Sequence, residues 1–180
     1  MRSSDTDIET DPNLRQQLAR LGIEPLLPQP ASAASIAIVA ASFHRGIVDR
    51  LLAGALQTLD DHGIAASSIR VVRVAGAWEL PLAAALAIDG GADAVVALGC
   101  VIRGETEHFE VIVREANRGL MEVMLARRVP VANGVLACHD HAQAYARAGF
   151  GDDAENKGVE AARAALALAG IAAALSAVRG

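Results

Sequence analysis

The sequence predicts an α/β fold, a three-layer α/β/α sandwich built around a four-stranded parallel sheet. Along the 180-residue chain, short apolar runs of strand length alternate with longer segments of helical spacing. Such alternation implies right-handed crossovers and a parallel sheet that is covered on both faces. The composition agrees, because 53% of the residues are hydrophobic and only 3% are aromatic. The core must therefore be built from Ala, Val, Leu and Ile.

Each predicted strand is followed by a predicted helix. The strands are expected at residues 35–40, 69–74, 93–98 and 130–136. The helices are expected at residues 46–62, 79–88, 109–127, 139–148 and 156–178. Gly63 stands where the C-terminal cap of the first helix belongs, and Pro81 falls in the first turn of the second, where proline is tolerated. This order of elements is flavodoxin-like.

Residues 1–34 are expected to form an appendage, partly flexible, ahead of one domain at residues 35–180. A short helix is predicted at residues 12–23, with three leucines on one face. Three prolines then interrupt any regular element: Pro25, Pro28 and Pro30. The sequence indicates no repeat and no second domain.

Net charge and cysteine usage narrow the range of partners. The formal net charge is −5 and no segment is rich in Lys or Arg, which argues against nucleic acid as a partner. Cys100 and Cys138 lie far apart and outside any CxxC pattern, which argues against a disulfide framework or a zinc site. The polar, acidic N-terminus is unlike a secretory signal. We therefore expect a cytoplasmic protein.

The longest uncharged stretch, at residues 164–177, is alanine-rich and apolar nearly all round. It is shorter than the ~20 residues that a membrane span needs, so no membrane partner is expected. A helix of this kind is expected to be buried on more than one side, either in a large core or against another subunit.

The loops after the predicted strands hold the unusual residues of the chain. In parallel sheets, ligands bind beyond the carboxyl ends of the strands. One of the three Phe, the only Trp and four of the five His fall in these loops. They are Phe43, Trp78, His44, His108, His139 and His141. Packing alone does not explain this clustering.

The loop after the third strand, at residues 99–108, predicts an anion site. It precedes a long helix, and the first N–H groups of a helix have no internal partner and lie at the positive end of its dipole. His108, near the start of that helix, would stand over a bound anion. The segment thus offers a phosphate cradle together with a proton-transfer group. An ordinary strand-to-helix turn with a solvated His remains the alternative.

Six short motifs stand in these loops or in the strand and helices that follow them: ASFH at 41–44, GAWELP at 76–81, GCVIRGETEHF at 99–109, ANGVL at 132–136, RAG at 147–149 and NKG at 156–158. In this order and spacing they resemble the 6,7-dimethyl-8-ribityllumazine synthase family, over about residues 36–168. The resemblance implies condensation of 5-amino-6-(D-ribitylamino)uracil with 3,4-dihydroxy-2-butanone 4-phosphate. The products would be 6,7-dimethyl-8-ribityllumazine, phosphate and water. Neither a metal nor an organic cofactor is implied.

The resemblance also implies roles for individual residues toward the ribitylaminouracil. Phe43 would stack on the pyrimidine ring. Ala77 would bind the ribityl chain through its backbone, and Glu79 would accept hydrogen bonds from the ribityl hydroxyls. Trp78 is expected to contribute packing rather than chemistry. Two further residues would face the pyrimidine with their backbone, Val101 and Ile102.

The butanone phosphate would be held by the loop after the third strand. Gly104, Glu105 and Thr106 would donate backbone N–H groups, with the Thr hydroxyl adding to them. Arg147 would supply a second clamp, suited to bidentate contact with phosphate. His108 would transfer protons, because a group that titrates near neutrality suits imine formation, phosphate elimination and ring closure.

The resemblance places the site between neighbouring subunits of a homo-oligomer. The stacking Phe, the ribityl Glu and the proton-transfer His would come from one chain, and the next chain would supply Asn133, Arg147 and Lys157. Lys157 would contact the pyrimidine substrate, whereas Asn133 stands where many members carry an aromatic residue. The long connection at 147–156 resembles that of pentameric members, so a homopentamer is predicted.

Other classes of function remain open at this point. A flavin- or lumazine-binding homologue could keep the pocket without turnover. A generic nucleotide binder would need a GxGxxG turn after the first strand, and residues 40–43 do not supply one. His139 and His141, two residues apart, are a poor ligand set for a metal, so no metal is predicted.

Overall fold

A parallel sheet forms the centre of the computed structural model, which describes residues 11–25, 29–31, 33–150 and 155–177. Its strands are β1 (Ile36–Ala41), β2 (Ile69–Val74), β3 (Ala94–Ile102) and β4 (Val131–Cys138). They are ordered β2-β1-β3-β4, and each neighbouring pair is parallel. The predicted α/β class and its four-stranded parallel sheet are confirmed.

Helices cover both faces of this sheet. They are α1 (Pro12–Leu21), α2 (Arg45–Asp61), α3 (Leu80–Asp89), α4 (His108–Arg127), α5 (His141–Arg147) and α6 (Lys157–Ala177). On one face α2, α5 and α6 share a core that includes Leu51, Ala144 and Leu166. On the other face α3 and α4 contribute Leu80 and Leu120 to a second core. Two cores on opposite sides of one sheet make the predicted three layers.

The central and edge strands differ in sequence as their positions require. β1 reads IAIVAA and is buried along its whole length, as suits a strand covered on both faces. β2 reads IRVVRV and lies at the edge, with four of its six residues exposed. Arg70 donates a hydrogen bond to the carbonyl of Gly90, and Arg73 pairs with Asp49. Charged side chains on an edge strand oppose pairing with a further strand.

The third strand is longer than predicted, which corrects the interpretation of the loop after it. β3 runs to Ile102, so Gly99 does not bound the loop but pairs with Val135 of β4. A Cβ at Gly99 would lie 3.2 Å from Leu80 Cδ1, so the glycine leaves room for α3 to pack on β3. The loop itself is confined to residues 103–107.

Two other boundaries shift by two residues for visible reasons. α1 ends at Leu21, because Gly22 adopts a left-handed conformation and donates its N–H to Ala19 O. α5 begins at His141, because the Asp140 side chain caps it by accepting a hydrogen bond from Gln143 N. Parts of the predictions for the appendage, the connection at 147–156 and the last helix lie outside the described residues, namely residues 1–10, 26–28, 32, 151–154 and 178–180.

Helix α6 is buried on one face within this chain, and its burial on a further side against another subunit stays a prediction. Its buried residues pack toward α2 and the sheet, and include Ala161, Ala165 and Ala169. Leu168 and Leu175 remain 41% and 55% exposed. By length and composition alone α6 could cross a membrane, but core helices of globular domains share these properties.

Candidate active site

A cleft of about 630 Å³ opens at the carboxyl ends of β1 and β3. Its walls are the loops that follow β1 and β2 and the first turns of α4. Seven of the residues predicted for the site line it: Phe43, Ala77, Trp78, Glu79, Val101, Ile102 and His108. The cleft therefore lies where a parallel sheet is expected to bind its ligand.

Phe43 presents an aromatic ring to this cleft from the loop after β1. Its N–H donates to Ala75 O (3.1 Å), which ties the loop after β1 to the loop after β2. A Cβ at Gly76 would lie 3.1 Å from Phe43 Cδ2, so the ring rests against the backbone of this glycine. The Phe43 side chain nevertheless stays 68% exposed. A planar ligand could bury the open face of the ring.

Trp78 and Glu79 belong to a short 3₁₀ turn, Ala77–Glu79, ahead of α3. Trp78, for which packing is expected, is 54% exposed on the cleft wall within this chain. Glu79 Oε2 accepts a hydrogen bond from Gly76 N (2.8 Å) and so fixes the turn. A carboxylate has acceptor positions to spare, so Glu79 can also accept from a ligand.

His44 also lines the cleft, although sequence reasoning did not select it as a site residue. It adopts a left-handed backbone conformation, with φ 52°, immediately before α2. Its ring lies 5.5 Å from the ring of His141, edge to face. Burial, and to a smaller extent the charge of His141, lower the pKa of His44. The position of His44 next to Phe43, at the end of β1, is the feature of the sequence from which its place in the cleft could have been predicted.

Cys100 forms part of the cleft lining and is buried. Burial, and secondarily the Cys138 thiol, raise the pKa of Cys100 to about 12. A thiol that stays protonated is a poor nucleophile and a poor metal ligand. Within the described part of the chain, no group of three His, Cys, Asp or Glu side chains is placed to hold a metal ion.

His108 is the first residue of α4 and is exposed at the side of the cleft. Val111 and Ile112, which sequence reasoning missed, line the cleft one turn further along the same helix. Val111 and Ile112 follow His108 by three and four residues, which places all three on one face of α4. Helical periodicity could therefore have predicted them.

The predicted phosphate loop lies beside the cleft lining rather than within it. Gly104, Glu105 and Thr106 are exposed and connect β3 to His108. Among the described residues, no side chain caps the N-terminus of α4. The first N–H groups of α4 are therefore available to an anion.

The remaining three predicted residues do not line the cleft of their own chain. Asn133 Nδ2 donates to Asn117 Oδ1, and Asn133 Oδ1 accepts from Val135 N (2.9 Å). Arg147 is exposed on α5. Lys157 bonds to Glu160 (2.7 Å) at the start of α6, and this hydrogen bond raises the pKa of Lys157.

The fold and the cleft together define a flavodoxin-like α/β protein with an aromatic-walled cleft at the carboxyl ends of its sheet. The family model for 6,7-dimethyl-8-ribityllumazine synthase matches residues 33–173. The chain belongs to the 6,7-dimethyl-8-ribityllumazine synthase family.

Individual relatives give the same result. The chain is 48% identical over 145 residues to a 6,7-dimethyl-8-ribityllumazine synthase of Leifsonia xyli, covering 81% of this chain and 88% of the relative. It is 43% identical over 146 residues to that of Azorhizobium caulinodans, covering 78% and 87%. A protein of the same name from Methylobacterium radiotolerans is 49% identical over 134 residues, covering 74% and 79%.

Proposed function

We propose that this chain condenses 5-amino-6-(D-ribitylamino)uracil with 3,4-dihydroxy-2-butanone 4-phosphate. The products are 6,7-dimethyl-8-ribityllumazine, phosphate and water. The observation that carries the proposal is that Phe43, Glu79 and His108 line one cleft, beside the N-terminus of α4, which no described side chain caps. Family membership supports the same reaction and gives no support to a non-catalytic homologue.

The cleft side of Phe43 binds the ribitylaminouracil in this proposal. The pyrimidine stacks on the exposed ring, while the backbone of Val101 and Ile102 at the end of β3 faces its polar edge. Glu79 receives the ribityl hydroxyls on the carboxylate positions that Gly76 leaves free. Apolar walls with a few polar groups are typical of sites that orient a small molecule.

The phosphate of the second substrate binds at the loop ahead of α4. Backbone N–H groups of Gly104, Glu105 and Thr106 donate to it, and the positive end of the helix dipole favours its charge. Arg147 of a neighbouring subunit adds a bidentate clamp. The Glu105 side chain is exposed, so it can remain in solvent while its N–H faces the anion.

His108 moves protons between the two bound substrates. The amine of the uracil attacks the ketone, and loss of water gives an imine. Phosphate then leaves, and the second amine closes the ring with loss of a second water. Each of these stages requires a proton to be removed or delivered, which one imidazole near both substrates can do. Holding the two reactants together supplies much of the remaining acceleration.

We also propose a homopentamer in which each site is completed by the next chain. Large apolar side chains stay exposed on α3, α4 and α6, among them Leu82 (66%), Leu86 (62%) and Leu125 (67%). Burial of such side chains against other subunits would stabilise an assembly. Arg147, Lys157 and Asn133 lie outside their own cleft, as a shared site requires. Free thiols at Cys100 and Cys138 suit the cytoplasm.

One experiment tests both parts of this proposal. The protein is mixed with both substrates, the lumazine product is followed by its absorbance, and the mass of the same sample is measured by light scattering. We expect product and the mass of five 18.6 kDa chains. Absence of product would refute the enzyme assignment, and a megadalton particle would refute the pentamer.

A further inference from the structure

Arg103 spans the loop that leads to α4. Its N–H donates to Cys138 O (2.9 Å), which extends the pairing of β3 with β4 by one residue. Its guanidinium Nη2 lies 2.6 Å from Glu110 Oε1 and its Cζ lies 5.8 Å from the centre of the Phe109 ring. One residue therefore connects the end of the sheet, across Gly104 to Glu107, with the first turn of the helix.

The ion pair between Arg103 and Glu110 contributes little to the stability of the whole fold. The side chains of Arg103 and Glu110 are 50% and 36% exposed, and exposed pairs contribute little to folding. Locally the effect is different, because the pair joins the two ends of a short exposed loop. Fixing both ends of a loop reduces the number of conformations that its backbone N–H groups can adopt.

The loop and the first turn of α4 carry more negative than positive charge. Residues 103–110 contain three carboxylates, at Glu105, Glu107 and Glu110, and a single guanidinium. Glu110 lies in the first turn of α4, where its charge competes with a bound anion for the positive end of the helix dipole. Pairing with Arg103 offsets the negative charge of Glu110 in that first turn.

We propose that Arg103 is a positioning residue for the phosphate-binding loop, acting through Glu110 and Phe109. This inference rests on the function proposed above. Arg103 fixes the backbone N–H groups of residues 104–106 toward the anion and does not itself bind it. Both Arg103→Gln and Glu110→Gln then weaken phosphate binding, although they change the net charge in opposite directions.

The first test measures the binding of inorganic phosphate to the full chain by titration calorimetry, independently of turnover. We expect each single variant to raise the dissociation constant about threefold to fivefold, the scale of an exposed ion pair. The double variant should lose no more than either single variant, because both remove the same contact. Arg103→Lys, which keeps the charge, should recover part of the affinity.

The second test is steady-state kinetics with both substrates. In Arg103→Gln, KM for the phosphorylated substrate should rise by a similar factor, while KM for the uracil stays within about twofold of its original value. Arg118→Gln is the matched control, since Arg118 lies on α4, as Glu110 does, and pairs with Glu115 and Glu122 away from the loop. It should leave both constants unchanged.

The outcomes separate this inference from the proposed function. Tighter phosphate binding by Glu110→Gln would show that only net charge matters and would refute the positioning role. Equal increases in both KM values would refute it as well. If the unaltered protein turns over substrates but the variants bind phosphate normally, the inference alone fails. If the unaltered protein binds no phosphate, the anion site fails and the role of Arg103 fails with it.

Discussion

Phe43 and Trp78 are large aromatic side chains that folding leaves in contact with water. Their exposed fractions are 68% and 54%, in a chain with few aromatic residues. Burial of apolar surface contributes about 25 cal/mol per Å², so a pyrimidine that stacks on these rings would gain binding free energy from surface that folding leaves exposed. At the residue scale, the strongest mark of the site is this exposed apolar surface beside His108.

His108→Ala should lower kcat by about 10²-fold or more, because it removes the group proposed to transfer protons. The mass of the oligomer should be unchanged, since His108 is exposed and outside both cores. Stopped-flow absorbance of the product measures the rate. His62→Ala, at the end of α2 and outside the cleft, is the control and should keep full activity. Unaltered turnover in His108→Ala would remove His108 from the mechanism.

Motifs name several of the cleft-lining residues, but lying in a motif was not sufficient, as His44 at the end of the motif at 41–44 shows. Phe43 and Glu79 follow from motifs in the loops after β1 and β2. His44 was missed because its direction depends on a left-handed backbone at φ 52°, which the sequence does not display. Val111 and Ile112 were missed because their role depends on which face of α4 meets the cleft.

At the scale of elements, α6 and α2 approach each other through Gly158. A Cβ at this position would lie 1.9 Å from Leu51 O and 2.7 Å from Leu51 C, both of which are backbone atoms. Backbone cannot move aside as the end of a flexible side chain can, so the two helices must separate. The start of α6, which carries Lys157, is therefore placed by this contact.

Gly158→Ala should destabilise the protein by about 1–3 kcal/mol through this overlap. The thermal unfolding midpoint, measured by circular dichroism at fixed protein concentration, reports the change. Gly46→Ala is the matched control, because Gly46 lies in α2 with nothing within 4 Å of its added Cβ. It should be neutral or slightly stabilising. An equal midpoint for the two variants would contradict the close contact.

Element types were predictable, whereas some ends were not. The short apolar runs gave all four strands, and Gly63 ends α2 at φ 75° with its N–H bonded to Asp60 O, as predicted. β3 extends past its predicted end because residues 99–102 pair with residues 135–138 of β4. Where a strand ends depends on how far its partner continues, and that is a tertiary property.

At the scale of the whole molecule, the proposed assembly requires each chain to hold two incomplete halves of a site. One half is the cleft with His108, and the other includes Arg147 and Lys157 on α5 and α6. The pairing of halves from different chains came from the resemblance to the family. The spacing of residues within one chain could not predict this pairing, because a sequence does not show which surfaces of neighbouring chains come into contact.

Complementation between two inactive variants tests this sharing. His108→Ala and Arg147→Ala are each expected to be nearly inactive as pure oligomers. After co-expression in equal amounts, about one site in four should combine an intact His108 with an intact Arg147 from the next chain. Activity of the mixed oligomer, measured against the unaltered protein, checks this fraction. A mixture that stays as inactive as its components would show that each site lies within one chain.

Trp78 has a further consequence for how this molecule can be observed. It is the sole tryptophan of the chain and it stands on the wall of the cleft. Indole emission depends on the polarity and stacking around the ring, and here no second indole adds a background. The protein therefore carries a single indole fluorophore in the cleft proposed to bind its substrates, and occupancy of the cleft can be followed in the unlabelled chain.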